Sequence, residues 1–464
     1  MTQSTRVVPT GPKMTDTVRV SDPKSWWREL ALMLTCVAML SGVAFYNGYP
    51  LVYSDTGSYL MNYNFAPRSF FYNLFLVPAH LTHSLWTPIL LQAVLTFCML
   101  RLILREVYAV TARGEFLAIV VVLCVLTSLP WIVGFVMPDI FTPMLVLGIF
   151  MLTFCFEHLS RWERYFVMAV TLVSVVVQYS HPPLALGLAV GAFIVRYIGR
   201  DQAVMTIGQQ VLPVMLVGAG VVAIVALNHH MIGMATLSPG GYAFELSRLI
   251  EDGSAVEYLR DQCPTHKYAA CEYLPRMPMT STDFLWSPDS IFHKVGFLGE
   301  REEGMEIIRG TIKAHPLWVL RDALGDASKQ LELVETGVGL ESAVTNTATT
   351  PGIAGHFPKE FKAYFLSRQG RGELLRLPFL QQLHLAFVLV SLCYCFFAAG
   401  LFARDREWMP IYLMFTVGLG TIFNAFVTGA LSQPHPRYGA RLVWLIPLIA
   451  LGAWRKVLSV SRPT

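Results

Sequence analysis

Residues 116–156 read FLAIVVVLCVLTSLPWIVGFVMPDIFTPMLVLGIFMLTFCF, 41 positions with a single charged side chain, Asp139. A helix needs about 20 apolar residues to cross the hydrocarbon core of a bilayer. The stretch is long enough for two crossings and is divided by Pro138. It therefore predicts a helical hairpin: one crossing over 116–137, a tight turn at Met137-Pro138-Asp139, and a return over 140–157.

The same criterion, applied outward, gives further apolar runs at about 29–46, 85–103, 165–180, 183–199, 207–229, 381–402, 409–430 and 438–454. Composition agrees. Only 14% of the 464 residues are Asp, Glu, Lys or Arg, against about 25% in soluble proteins. Mean hydropathy is +0.50. These values exclude a disordered chain, an ordinary soluble enzyme and a nucleic-acid binder with a basic face. The expected fold class is an all-α polytopic membrane protein of about ten transmembrane helices with one large extracytoplasmic segment. Three parts follow: 1–229 with seven spans, 230–380 as the extracytoplasmic segment, and 381–464 with three spans.

Basic residues orient the chain, because cytoplasmic loops are enriched in Lys and Arg. With both termini inside, 17 of the 35 Lys and Arg fall on inner loops and tails, among them Arg6, Lys13, Arg19, Arg200 and Arg462. The short outer loops hold only Arg68, Arg437 and Arg441. The segment 165–199 is barely long enough for two crossings, and a single crossing would invert every later element. Two are expected, with His181-Pro182-Pro183 as the turn. The first apolar run reads as a signal anchor, since no small-residue cleavage site follows it.

In the middle segment, Ala243–Leu259 and Ile307–Val334 are helical by periodicity. The second starts amphipathic, which suits either a membrane-surface helix or one packed on neighbours. Thr336–Pro358, rich in Gly, Thr and Ala, predicts a flexible loop. Cys263 and Cys271 are open to a disulfide or to two free thiols. No internal repeat supports an inverted-repeat transporter. No P-loop, no G-x-G-x-x-G after a strand and no G-x-S-x-G occurs. The adjacent His229-His230 point to different helix faces and make no ligand pair, so a divalent metal has no sequence support.

Candidate chemistry concentrates on the outer face. Asp55, in Ser54-Asp55-Thr56-Gly57-Ser58-Tyr59, is the only acid between Glu29 and Glu106. It suits a general base or, on residue type alone, an Asx-turn. Asp139 suits a helix cap, yet an ionisable group at membrane depth is a functional candidate. His435-Pro436-Arg437-Tyr438-Gly439-Ala440-Arg441 opens the last span. Arg437 and Arg441, spaced i, i+4, share one helix face, as phosphate binding or headgroup anchoring would need. His181 lies at another outer turn.

In order along the chain, these motifs resemble the GT-C superfamily of integral-membrane glycosyltransferases. The likeness is carried by the acid and Tyr of Asp55–Tyr59, the basic, aromatic, Pro-containing run from Arg68 to Pro78, Pro138-Asp139 at the start of a span, and Arg437-Tyr438 late in the chain. Ile312-Lys313-Ala314-His315-Pro316-Leu317 resembles an Ile-x-x-x-Pro-Leu segment of bacterial members. Many members have Asp-Glu in the first loop, whereas Thr follows the acid here, which puts a metal role for this loop in doubt. The resemblance implies inverting sugar transfer from a polyprenyl-phosphate carrier to a lipid, polysaccharide or protein, in a bacterial inner membrane. Asp55 would be the base and Asp139 would position substrate. Arg437, Tyr438 and Arg441 would hold the leaving phosphate, with Tyr59, Arg68, His181 and His435 as further substrate-binding groups. The expected partners are the polyprenyl-phosphate sugar and membrane lipids, with no nucleic acid. The rival readings are an O-antigen-type polymerase or ligase and a lipid or solute transporter.

Overall fold

The computed structural model describes residues 23–61, 67–198, 207–374 and 378–460, and every regular element among them is a helix. Arg6, Lys13, Arg19, Arg200 and Arg462 lie outside the described residues. Five helices are long and apolar enough to cross a membrane: Trp86–Tyr108, Pro138–His158, Val211–Ile232, Phe379–Arg404 and Trp408–Ala430. The other expected crossings coincide with shorter or interrupted helices.

The interruptions have local causes. The expected crossing at 116–137 is two helices, Arg113–Leu126 and Leu129–Gly134. Thr127 turns extended between them, and its Oγ1 donates to Leu123 O at 2.6 Å and accepts from Leu129 N at 3.2 Å. The last crossing is Pro436–Val443 followed by Leu445–Val460. Pro447, which lacks an N–H, removes a helical bond just after the break. Over 165–199 there are two helices, Arg161–Val176 and His181–Ile198. A capping box starts the first: Ser160 Oγ accepts from Glu163 N, and Glu163 Oε2 accepts from Ser160 N.

Helix Pro138–His158 is the centre of the bundle, with 94% of its most apolar stretch buried, against 28% for Val211–Ile232 and Phe379–Arg404. Small residues let its neighbours close on it. A Cβ on Gly148 would lie 2.2 Å from Thr171 Oγ1, and one on Gly420 would lie 2.9 Å from Val146 Cγ2. The two outer helices keep apolar faces such as Val222, Val390 and Phe396 exposed, as lipid contact requires.

The segment 230–380 divides. Its first half, from Tyr242 to Ile308, builds a small core of its own, while Leu340, Ala343, Ile353, Phe357 and Tyr364 join the main core. The two long helices expected there are each broken. Gly241–Glu251 and Ser254–Gln262 are separated at Gly253, whose φ of +87° suits glycine. Arg301–Ala314 and Pro316–Glu332 are separated at His315, because proline opens the second helix. Cys263 and Cys271 form a disulfide.

Thr336–Pro358 is not a loose loop. Thr349 Oγ1 bonds Tyr53 O at 2.6 Å and Ser54 O at 3.0 Å, and accepts from Gly57 N at 3.0 Å. It ends in the helix Thr350–His356.

Candidate active site

Three stretches far apart in sequence meet at one end of the bundle. The loop after the first apolar run pairs with the tip of the 116–156 hairpin: Leu51 N donates to Gly134 O, and Val136 N donates to Leu51 O, both at 2.9 Å. Thr56 Oγ1 adds a bond to Val136 O at 3.2 Å. The broken hairpin leaves carbonyls that need donors. Gln92, buried on the Trp86–Tyr108 helix, supplies them, with Nε2 at 2.9 Å from both Val133 O and Phe135 O. Ser128 Oγ donates to Ala440 O at 2.6 Å, which ties in the final helix pair. Asp55, Asp139 and Arg437 are thereby brought together.

Neither acid is a cap. Asp55 precedes the helix Thr56–Leu60 without a side-chain cap bond. Its Oδ1 is ion-paired with Arg68, and its Oδ2 accepts from Arg437 Nη1 at 3.2 Å and Nη2 at 3.1 Å. Burial pushes its carboxyl up, but the two guanidiniums prevail and hold it at about 2. A resting Asp55 is therefore an ionised, doubly paired carboxylate, not the raised-pKa base that partial burial alone would give.

Asp139 is 1% exposed, with Arg437 Nε at 3.6 Å and Arg441 Nη1 at 3.5 Å. These are charge contacts, and neither carboxylate oxygen has a hydrogen-bond partner among the described residues. Arg441 is fully buried. Its Nη2 donates to Asn424 Oδ1 at 2.6 Å and its Nη1 to Gln178 Oε1 at 3.3 Å. Three arginines against two aspartates leave one net positive charge.

Aromatic rings hold the cations flat. The Arg437 guanidinium lies 4.3 Å from the Tyr53 ring centroid and 5.2 Å from that of Tyr438, and Arg441 lies 5.0 Å from Tyr438. Arg68 lies over Phe244 at 5.8 Å.

A cavity of about 400 Å³ opens onto this cluster. Asp55, Tyr59, Arg68, Arg437 and Tyr438 line it, as do Tyr242, Glu245 and Arg301 from the middle segment. Its volume lies within the range of ligand sites, roughly 300–1,000 Å³. Glu245 and Arg301 carry no motif that sequence reasoning could have used. Asp139, Arg441, His181 and His435 do not line the cavity. His181 is buried between Thr142 Oγ1 at 2.8 Å and Ser174 O at 2.5 Å. His435 caps the helix Pro436–Val443: its Nδ1 accepts from Arg437 N at 3.1 Å, so Nε2 carries the proton toward Tyr53 Oη at 3.1 Å. Burial and the nearby Arg437 push its pKa down to about 4, so the ring is neutral. These two histidines and Arg441 thus brace the site from behind. Among the described residues no group of three or more His, Cys, Asp or Glu is placed to hold a metal ion.

No family model, curated protein or solved structure matches this chain.

Proposed function

We propose that the chain is a membrane glycosyltransferase that takes a sugar from a polyprenyl-phosphate carrier at the outer membrane face. The observation that carries this reading is the convergence of Asp55, Arg68 and Arg437 on one cavity at the end of an apolar helical bundle. The net charge of the cluster suits the single negative charge of a sugar phosphodiester. The full ten-span topology with both termini inside, in a bacterial inner membrane, belongs to the same proposal. The Cys263–Cys271 disulfide supports an oxidising outer side for the middle segment.

The ion pairs give the mechanism its order. An entering phosphodiester competes with Asp55 for Arg68 and Arg437. As the guanidiniums turn to the phosphate, the carboxylate loses the cations that depress its pKa and becomes a better base. The acceptor hydroxyl oxygen then attacks the anomeric carbon with inversion, and its proton passes to Asp55. The bond from that carbon to the phosphate oxygen breaks, and the phosphate leaves with the electron pair. The arginines stabilise its added charge. Asp139 keeps Arg437 and Arg441 in place during the exchange.

A second reading, an O-antigen-type polymerase or ligase, draws on the pairing of Asp55, which is also what a structural counter-ion would display. One experiment separates them. An Asp55→Asn variant with normal membrane expression is compared with wild type and a deletion strain for lipid and polysaccharide glycans. Loss of one sugar in both variant and deletion supports the glycosyltransferase. A silent Asp55→Asn beside a deletion phenotype favours the second reading.

A further inference from the structure

A second cavity, of about 520 Å³, has a wall residue, Gln369, in contact with the acid-bearing loop. The Tyr53 ring faces Arg437 of the first cavity, while its hydroxyl lies against Gly339, where a Cβ would come within 1.9 Å of it. Gly337 and Leu340, within two positions of Gly339, are on the wall of the second cavity. Gln369, also on that wall, clamps the same loop: its Oε1 accepts from Val52 N at 3.1 Å and its Nε2 donates to Val52 O at 2.6 Å.

The lining has a definite chemistry. The described residues that line it are acidic, amide, hydroxyl and apolar. Glu341 and Glu373 offer carboxylates. Glu373 is paired with Arg371 at 2.7 Å, whereas burial alone pushes the Glu341 carboxyl up. Side-chain donors are largely used inside the protein. Gln381 Nε2 donates to Thr336 O at 3.1 Å, Gln369 Nε2 is spent on Val52, and the Ser342 and Thr345 hydroxyls bond each other at 2.9 Å. What remains is chiefly acceptors, beside the indole of Trp131. A ligand that fits must donate several hydrogen bonds and present an apolar face to a ring. Sugar hydroxyls and the C–H face of a pyranose do both.

We propose that this second cavity binds a saccharide, the part of the acceptor remote from the bond being formed. The word acceptor rests on the glycosyltransferase reading, whereas saccharide binding does not.

The test uses the full chain in nanodiscs, probed with an array of neutral di- and trisaccharides built from glucose, galactose, mannose and N-acetylglucosamine. Ethanolamine and choline are the competing cationic probes. The expected result is binding of at least one saccharide, weakened five-fold or more by Glu341→Gln and by Trp131→Phe, and unchanged in Asp55→Asn. Glu341→Gln is an isosteric change at a cavity wall, so its result stands even if Trp131→Phe fails to fold. No saccharide bound, binding indifferent to Glu341→Gln, or tighter binding of the amines overturns the proposal. Saccharide binding together with a silent Asp55→Asn glycan profile keeps this inference and removes the glycosyltransferase. A defective Asp55→Asn with no saccharide bound does the reverse.

Discussion

Replacing Arg437 with Met keeps the length and packing of the side chain and removes the cation that joins the two aspartates. Both Arg437 Nη atoms engage a single oxygen, Asp55 Oδ2, at 3.1 and 3.2 Å, and Arg68 keeps the other oxygen. The pair is thus weaker than a fork-to-fork contact. Asp139 is left with Arg441 alone. Removing one partner of a buried ion pair costs about 3–5 kcal/mol. With Arg68 still in place, about 3 kcal/mol is expected for Arg437→Met. Charge-assisted hydrogen bonds contribute about 1.5–3 kcal/mol, so the coupling of Arg437 to Asp55 should be about 2 kcal/mol, some thirty-fold in the unfolding equilibrium. The assay is a double-mutant cycle of Arg437→Met, Asp55→Asn and the combination, with unfolding in mixed detergent–SDS micelles followed by tryptophan fluorescence. Additivity within about 0.5 kcal/mol would mean that the two residues do not interact, and the charge cluster as described would fall.

Two further outcomes follow from neighbouring residues. Because folding depresses the His435 pKa from 6.5 to about 4, its contribution is complete above pH 6.5 and is lost as the pH falls toward 4. The full depression corresponds to about 3 kcal/mol, and His435→Gln should flatten that part of a melting-temperature profile between pH 4 and 6.5. At Gly57 an added Cβ would sit 2.1 Å from Ala348 O. Gly57→Ala should therefore push the Thr349 clamp off the acid loop, lowering stability by about 1–3 kcal/mol and abolishing the proposed glycan transfer at normal expression. Wild-type transfer by this variant would show that the clamp is dispensable.

The all-helical character and the presence of apolar helices of membrane-crossing length were legible because long uncharged runs admit few other structures, and five such helices fall on those runs. The breaks in the other runs were less legible. Thr127-Ser128 and Pro447 lie inside apolar stretches where hydropathy averages over them, and only hydrogen bonding reveals that Gln92 serves the broken hairpin. At the site, the scarcity of charge pointed to Asp55, Asp139 and Arg437. It did not reveal that they pair with one another, because pairing depends on contacts spanning 382 positions. Spacing put Arg437 and Arg441 on one helix face, but only packing separates a cation at the cavity wall from one sealed behind it. Thr349 lay in a stretch that composition marked as loose. Its role comes from backbone carbonyls of the acid loop, which leave no trace in the residue pattern.

The most direct test of the central claim is the affinity of the full chain for a polyprenyl monophosphate, wild type against Asp55→Asn, in nanodiscs by native mass spectrometry. If the phosphate and Asp55 compete for Arg68 and Arg437, removing the carboxylate charge should tighten binding about ten-fold while transfer is lost. Equal or weaker binding by Asp55→Asn would contradict the account, since the arginines would then serve the aspartate and not the lipid phosphate.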